Sequence, residues 1–199
     1  DSSIGVAQEG TKYYDPTRGV SFSSLTQPNG VTFRIAMPEN STAADAIYQI
    51  VAPNDFAWCG LAWGGHITNH LLTGQKAIVS SRMAFGYYAT PGPYEGAMYT
   101  YLPGTTTNAT HWQLTARCQG CTQWSSTDGD FNLNNETYAI LAYTCSSMPP
   151  DDKTSNTSMF NVHEQFGIWS HDLTIAKNAS FSEWVKGNFS MKRGQLWSA

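Results

Sequence analysis

The stretch Val31-Thr32-Phe33-Arg34-Ile35-Ala36-Met37 decides the fold class. Its residues Val31, Phe33, Ile35 and Met37 fall at every second position, with Thr32 and Arg34 between them. A strand turns successive side chains to opposite faces, so this spacing buries one face and wets the other. Short segments of the same kind recur near residues 46–52, 57–63, 77–81, 83–88, 96–102, 111–117, 138–144 and 166–170, separated by clusters of Gly, Pro, Asn and Asp. Such clusters mark turns. Many short strands without alternating helices predict an all-β antiparallel sandwich or barrel.

Outside the strand pattern, Ser180-Phe181-Ser182-Glu183 has the spacing of a capping box and Gly187 that of a stop, which predicts one short C-terminal helix. Residues 148–158 hold two Pro, two Asp and a glycosylation sequon and predict an exposed loop. One domain over residues 1–190 is expected, with 191–199 a tail or the start of a linker.

The 199 residues are 41% hydrophobic but only 13% charged, with seven Trp, ten Tyr and nine Phe. About 25% charge is usual, so this chain has the apolar content for a sizeable core and too little charge for a disordered one. The net charge is −4, with no basic cluster beyond Lys192-Arg193, which argues against nucleic acid as a partner. No run of eighteen apolar residues predicts a membrane span.

Six Asn-X-Ser/Thr sequons, at Asn40, Asn108, Asn135, Asn156, Asn178 and Asn188, point to a secreted, extracellular glycoprotein. In that compartment an even count of four Cys predicts two disulfides. Cys118-x-x-Cys121 lacks the second Cys pair of a zinc site and the helical context of a redox motif, so a structural bridge is the expectation. Cys59 and Cys145 then pair by elimination. His66 and His70 are four apart, as on the helix of a zinc hydrolase, but no Glu follows His66 and Gly64-Gly65 precedes it. No phosphate-binding loop, dinucleotide fingerprint or Gly-x-Ser-x-Gly element occurs, and nothing singles out a carboxylate pair.

Several longer motifs are more specific: Trp58-Cys59-Gly60-Leu61-Ala62-Trp63-Gly64-Gly65, Ile78-Val79-Ser80-Ser81 leading to Phe85-Gly86-Tyr87, Thr107 to Trp112, Arg117-Cys118-Gln119-Gly120-Cys121-Thr122-Gln123-Trp124, and His163 ahead of Phe166-Gly167-Ile168-Trp169. Together with Tyr14 to Phe22 they resemble the cytochrome domain of fungal cellobiose dehydrogenase over nearly the whole chain. The resemblance implies a DOMON-type, immunoglobulin-like β-sandwich holding one haem b. It implies single-electron transfer from a flavin dehydrogenase to an acceptor such as a lytic polysaccharide monooxygenase, with no catalytic turnover by the isolated domain, which is expected to be a monomer.

Carried over residue by residue, the family's axial His falls on His163. Its axial Met, two residues after the Gly-Gly pair, falls on Ile67, whose hydrocarbon side chain cannot ligate iron. Three expectations follow from this departure. His66, or else His70, replaces the Met; or His163 alone ligates a five-coordinate haem; or haem has been lost and the sandwich serves as a carbohydrate-binding module with aromatic stacking platforms. Met83 and Tyr87 are candidate walls of the pocket, Met83 and Met98 substitute ligands, and Arg82 or Tyr87 partners for a propionate. Each also has a plainer role in packing, since aromatic and sulfur side chains in a sandwich are core by default. His111 and His171 read as hydrogen-bonded structural residues.

Overall fold

The computed structural model describes residues 10–16, 18–40, 44–64, 66–73, 76–83, 90–126 and 129–186, with backbone pairing alone over 66–73. Tyr87, Asn188, the stop at Gly187 and the tail 191–199 lie outside the described residues, as do all but the first position of the segment expected near 83–88.

Two sheets face each other. The first runs β1 (Thr11–Asp15), β2 (Val20–Thr26), β3 (Thr32–Pro38), β4 (Asp45–Pro53), β11 (His111–Gln119) and β10 (Thr106–Thr107), with β9 (Met98–Tyr101) also on β11 and β16 (Lys177–Asn178) on β3. The second runs β15 (Gln165–Asp172), β14 (Tyr138–Ser146), β5 (Trp58–Ala62), β6 (His66–Thr73), β7 (Lys76–Met83) and β8 (Gly92–Pro93). A separate hairpin pairs β12 (Gln123–Ser126) with β13 (Gly129–Asn132). Pairing is antiparallel except where β16 meets β3 in parallel. This is the all-β sandwich that the period-two pattern predicts.

Alternation explains the core. Phe33, Ile35 and Met37 of β3 are buried with Tyr48 and Ile50 of β4, Trp63, Trp112, Leu141 and Trp169 between the sheets. The indole N–H of buried Trp112 donates to the Phe56 carbonyl at 3.0 Å, so its polar atom is satisfied inside the apolar layer. Ala36, on the other face of β3, is buried too: it joins Val20, Phe22, Ile47, Leu102 and Phe181 in a second, smaller core. Phe181 opens helix α1 (Phe181–Lys186), so the short helix covers the outer face of the first sheet.

The capping differs from the expected reciprocal box. Ser180 N–H donates to Asn178 Oδ1 at 2.8 Å, while the Glu183 carboxylate pairs with Lys186 at 3.3 Å. The pair is exposed and one turn apart, worth a few tenths of a kcal/mol. Cys59 bridges Cys145 across the β5–β14 register, and Cys118 bridges Cys121 at the end of β11. His66 and His70 lie on a strand rather than a helix, so their spacing does not make a zincin-like pair on one helix face. Met98, expected in the core, is exposed on β9 opposite Gln119.

Candidate functional site

His163 stands where the chain enters β15, and its backbone is fixed by its neighbour. Glu164 N–H donates to the Cys145 carbonyl at 3.0 Å, and the Glu164 carboxylate accepts from both the N–H and the hydroxyl of Ser147, each at 2.9 Å. These bonds hold the carboxyl below its ordinary pKa. The His163 ring is half-buried and lies 5.2 Å, centroid to centroid, from Phe166.

Next to this imidazole the sandwich shows a bare apolar surface. Phe166 is 68% exposed and Ile168 and Ile140 are each 73% exposed. Phe166 and Ile168 are alternate residues of β15, and Ile140 is on the neighbouring strand, with Ala142 opposite Ile168 and Thr144 opposite Phe166. Large side chains so exposed on adjacent strands form a patch rather than scattered surface apolar residues.

The same sheet carries a buried clamp. Arg82 of β7 is 1% exposed. Its guanidinium donates to the Ser80 hydroxyl at 2.7 Å, the Ser158 carbonyl at 2.6 Å, the Asn156 carbonyl at 3.2 Å and the Pro91 carbonyl at 3.4 Å. It also sits 5.4 Å over Phe160, which packs edge-on against Trp58 at 5.1 Å. Burial holds this guanidinium below its ordinary pKa. Arg82 was a candidate propionate partner; its donors are instead turned to the loop that follows β14. That loop, expected to be exposed, is pinned at Asn156 and at buried Ser158. Sequence reasoning missed this because the partners are main-chain carbonyls, which leave no residue signature.

The remaining candidates are placed by register. His66, the first residue of β6, is opposite Met83, and Met83 is half-buried. Ile67 occupies the row of Ala62 and Arg82, whereas His70 occupies the row of Cys59 and Val79. Cys59 and Val79 belong to the core between the sheets. Backbone pairing therefore brings Ile67, not His66, into line with the clamp residue. His111 is engaged in the β10–β11 turn, its ring 2.9 Å from the Thr110 hydroxyl. Among the described residues no group of three or more His, Cys, Asp or Glu is placed to hold a bare metal ion.

The model of the cytochrome domain of cellobiose dehydrogenase matches residues 13–183. The chain belongs to that family. A pyrroloquinoline quinone-dependent pyranose dehydrogenase of Coprinopsis cinerea is 27% identical over 169 residues, covering 79% of this chain and 23% of the relative. This chain thus spans about a quarter of the relative's length. Among solved structures, the cytochrome domain of Myriococcum thermophilum cellobiose dehydrogenase superposes with a TM-score of 0.79 at 26% identity, covering 89% of this chain and 95% of that one. The cytochrome b domain of pyranose dehydrogenase from Coprinopsis cinerea shares the fold, with a TM-score of 0.80 at 23% identity, covering 89% and 94%.

A cytochrome domain implies a haem, and the residues present can be tested against one. A porphyrin needs a nitrogen or sulfur donor beside flat apolar walls. The His163 imidazole offers a nitrogen donor, and exposed Phe166, Ile168 and Ile140 offer an apolar surface on the adjacent strands β14 and β15, so these residues are compatible with a porphyrin. Ile67, where the sequence resemblance expects the thioether, is aliphatic and carries no donor atom.

Proposed function

We propose that this cytochrome domain holds one haem b against His163 and passes single electrons between a dehydrogenase and an extracellular acceptor. The observation that carries the reading is the half-buried His163 imidazole, next to the tied-down Glu164 and beside the bare apolar strip of Phe166, Ile168 and Ile140. When bound, the haem supplies a one-electron iron couple; the protein sets its ligation, burial and docking. Glu164 fixes the approach of His163, Phe166 lies against the ring, and Arg82 holds the loop through Phe160 over Trp58.

The donor is a flavin or quinone dehydrogenase domain and the acceptor is of the lytic polysaccharide monooxygenase class, in line with a relative that is itself a larger dehydrogenase. The chain is a secreted monomer glycosylated at its sequons, with the domain ending near residue 190. No helix among the described residues is long and apolar enough to cross a membrane. As a substitute for the absent thioether, His66 is the donor nearest in sequence to Ile67 that would hold the iron, and His66→Ala is expected to convert a low-spin ferric spectrum to high spin.

Absorption spectra of haem-supplemented protein, before and after dithionite, test the proposal. A Soret band that is lost in His163→Ala supports it; a wild-type protein without that band overturns it. Ile67 favours one second reading, a haem-free module that binds carbohydrate through exposed aromatics. Retention on an insoluble polysaccharide by protein that takes up no haem would establish that reading instead.

A further inference from the structure

The element Cys118-Gln119-Gly120-Cys121-Thr122-Gln123-Trp124 has no part in the site described so far, yet the structure connects it to Gly64, two residues ahead of β6. Gly64 has φ +103°, a conformation open to glycine and strained for other residues. A Cβ built on it would lie 2.7 Å from both Cη2 and Cζ2 of Trp124. The indole therefore rests on the Gly64 backbone at a distance no side chain at 64 would allow. Trp124 is in turn held from behind, stacked on Phe131 at 5.5 Å and 14° across the β12–β13 hairpin.

The motif builds the support for that hairpin. Gly120 turns the chain at φ +90°, where a Cβ would meet the Gly96 carbonyl oxygen at 2.3 Å. The Cys118–Cys121 bridge closes this turn, and the Thr122 carbonyl accepts from Leu133 N–H at 2.9 Å, tying the hairpin's two ends together. Disulfide, turn, hairpin and indole thus form one continuous strut ending on Gly64.

We infer that Trp124 is the positioning residue for the distal side of the haem site: its indole, braced by Phe131 and the Cys118–Cys121 turn, fixes the backbone at Gly64, ahead of β6, and so the approach of residues 66–67 to the haem. This rests on the cytochrome reading above. It assigns the Cys-Gln-Gly-Cys-Thr-Gln-Trp element a role in tuning ligation, since residues that support a ligand shell shift metal affinity by about 10-fold or more.

The test compares haem-loaded wild type with Trp124→Phe, which keeps an aromatic plug, and Trp124→Ala, using Trp169→Phe as a buried control. Exogenous imidazole is titrated into the ferric protein, and the midpoint potential and spin state are recorded. Trp124→Ala is expected to change imidazole affinity by about 10-fold with a shifted potential, in proportion to the loss of distal support. Trp124→Phe is expected to fall between, and Trp169→Phe to lower thermal stability without either change. In haem-free protein, amide exchange of the peptide spanning residues 64–70 is expected to quicken in Trp124→Ala, a readout that survives failure of the cytochrome reading. Exchange, imidazole affinity and potential all equal to wild type in both Trp124 variants would overturn the inference. Wild type without a Soret band would instead overturn the haem reading and leave the exchange result to decide whether the strut exists.

Discussion

The indole N–H of Trp169 donates to Nδ1 of His171 at 3.1 Å, two residues along β15 with both rings buried. This bond fixes the tautomer: Nδ1 accepts, so the neutral ring carries its proton on Nε2. Trp169 is stacked on Phe33 at 5.2 Å, so the pair sits where the two sheets meet.

Acid sensitivity follows from that arrangement. Burial pushes His171 down to about 4, with Asp172 opposing, against an ordinary value of about 6.5. The folded chain therefore stays neutral at 171 while the unfolded chain takes up a proton below about pH 6.5. Stability from this group is complete above that pH and is lost as pH falls toward 4, by about 3 kcal/mol in all. Urea unfolding between pH 4 and 7.5 measures it. His171→Gln should flatten the decline, and an unchanged slope in that variant would assign the decline to other groups.

The two disulfides should differ in worth. Cys59 and Cys145 are 86 residues apart, Cys118 and Cys121 only 3. If closure entropy of the unfolded chain dominates, the long loop contributes about 4.5 kcal/mol and the short one about 2. Paired Cys→Ala variants compared by urea denaturation test this, and a larger loss from the short loop would contradict it. Cys145 also gives its carbonyl to Glu164 N–H. Loss of the long bridge should therefore loosen the His163 segment, seen as faster amide exchange there.

Arg82 should be irreplaceable by Lys. Its fork reaches three carbonyls and one hydroxyl in a buried site, and a lysine ammonium has neither the planar spread nor the donor count to match it. Arg82→Lys leaves buried acceptors unmet and should cost about 3 kcal/mol. It should also free residues 148–160 to limited proteolysis. Stability and cleavage pattern equal to wild type would show that the clamp carries no energy.

How much of this was legible in the sequence depends on the range over which each interaction acts. The alternation of Phe33, Ile35 and Met37 is a property of adjacent residues, and it predicted a strand that the structure contains. The helix at 181–186 was likewise local, although Glu183 turned to Lys186 because Asn178 had already taken the Ser180 N–H. The burial of Ala36 escaped notice because a helix some 145 positions later covers it. Arg82 escaped for the same reason: the two acceptors that tie it to the loop after β14 lie 74 and 76 residues away and are main-chain atoms. The Cys-x-x-Cys spacing announced a bridge but could not announce Trp124 resting on Gly64, since that contact joins the β12–β13 hairpin to a residue far earlier in the chain. The family resemblance pointed to His163 and to Ile67 as residues of interest; only strand register put Ile67 on the row of Arg82.

That register supports a last prediction, that Ile67→Met changes the haem spectrum whereas the native chain lacks a thioether there. Successive residues of a strand alternate between faces, and Ile67 shares its row with Ala62 and Arg82 while His66 is paired with Met83. A donor introduced at 67 thus occupies the family's Met position without altering the register. Thioether ligation raises a haem potential relative to imidazole, so Ile67→Met should be low-spin in both oxidation states with a potential above wild type. Because successive strand positions alternate between faces, a thioether at 67 and His66 would not serve one site together, so replacing His66 by Ala in the Ile67→Met background should leave the thioether spectrum intact. Ferric and ferrous absorption spectra with a potentiometric titration decide the matter. A spectrum and potential unmoved by Ile67→Met would mean that residue 67 does not approach the iron.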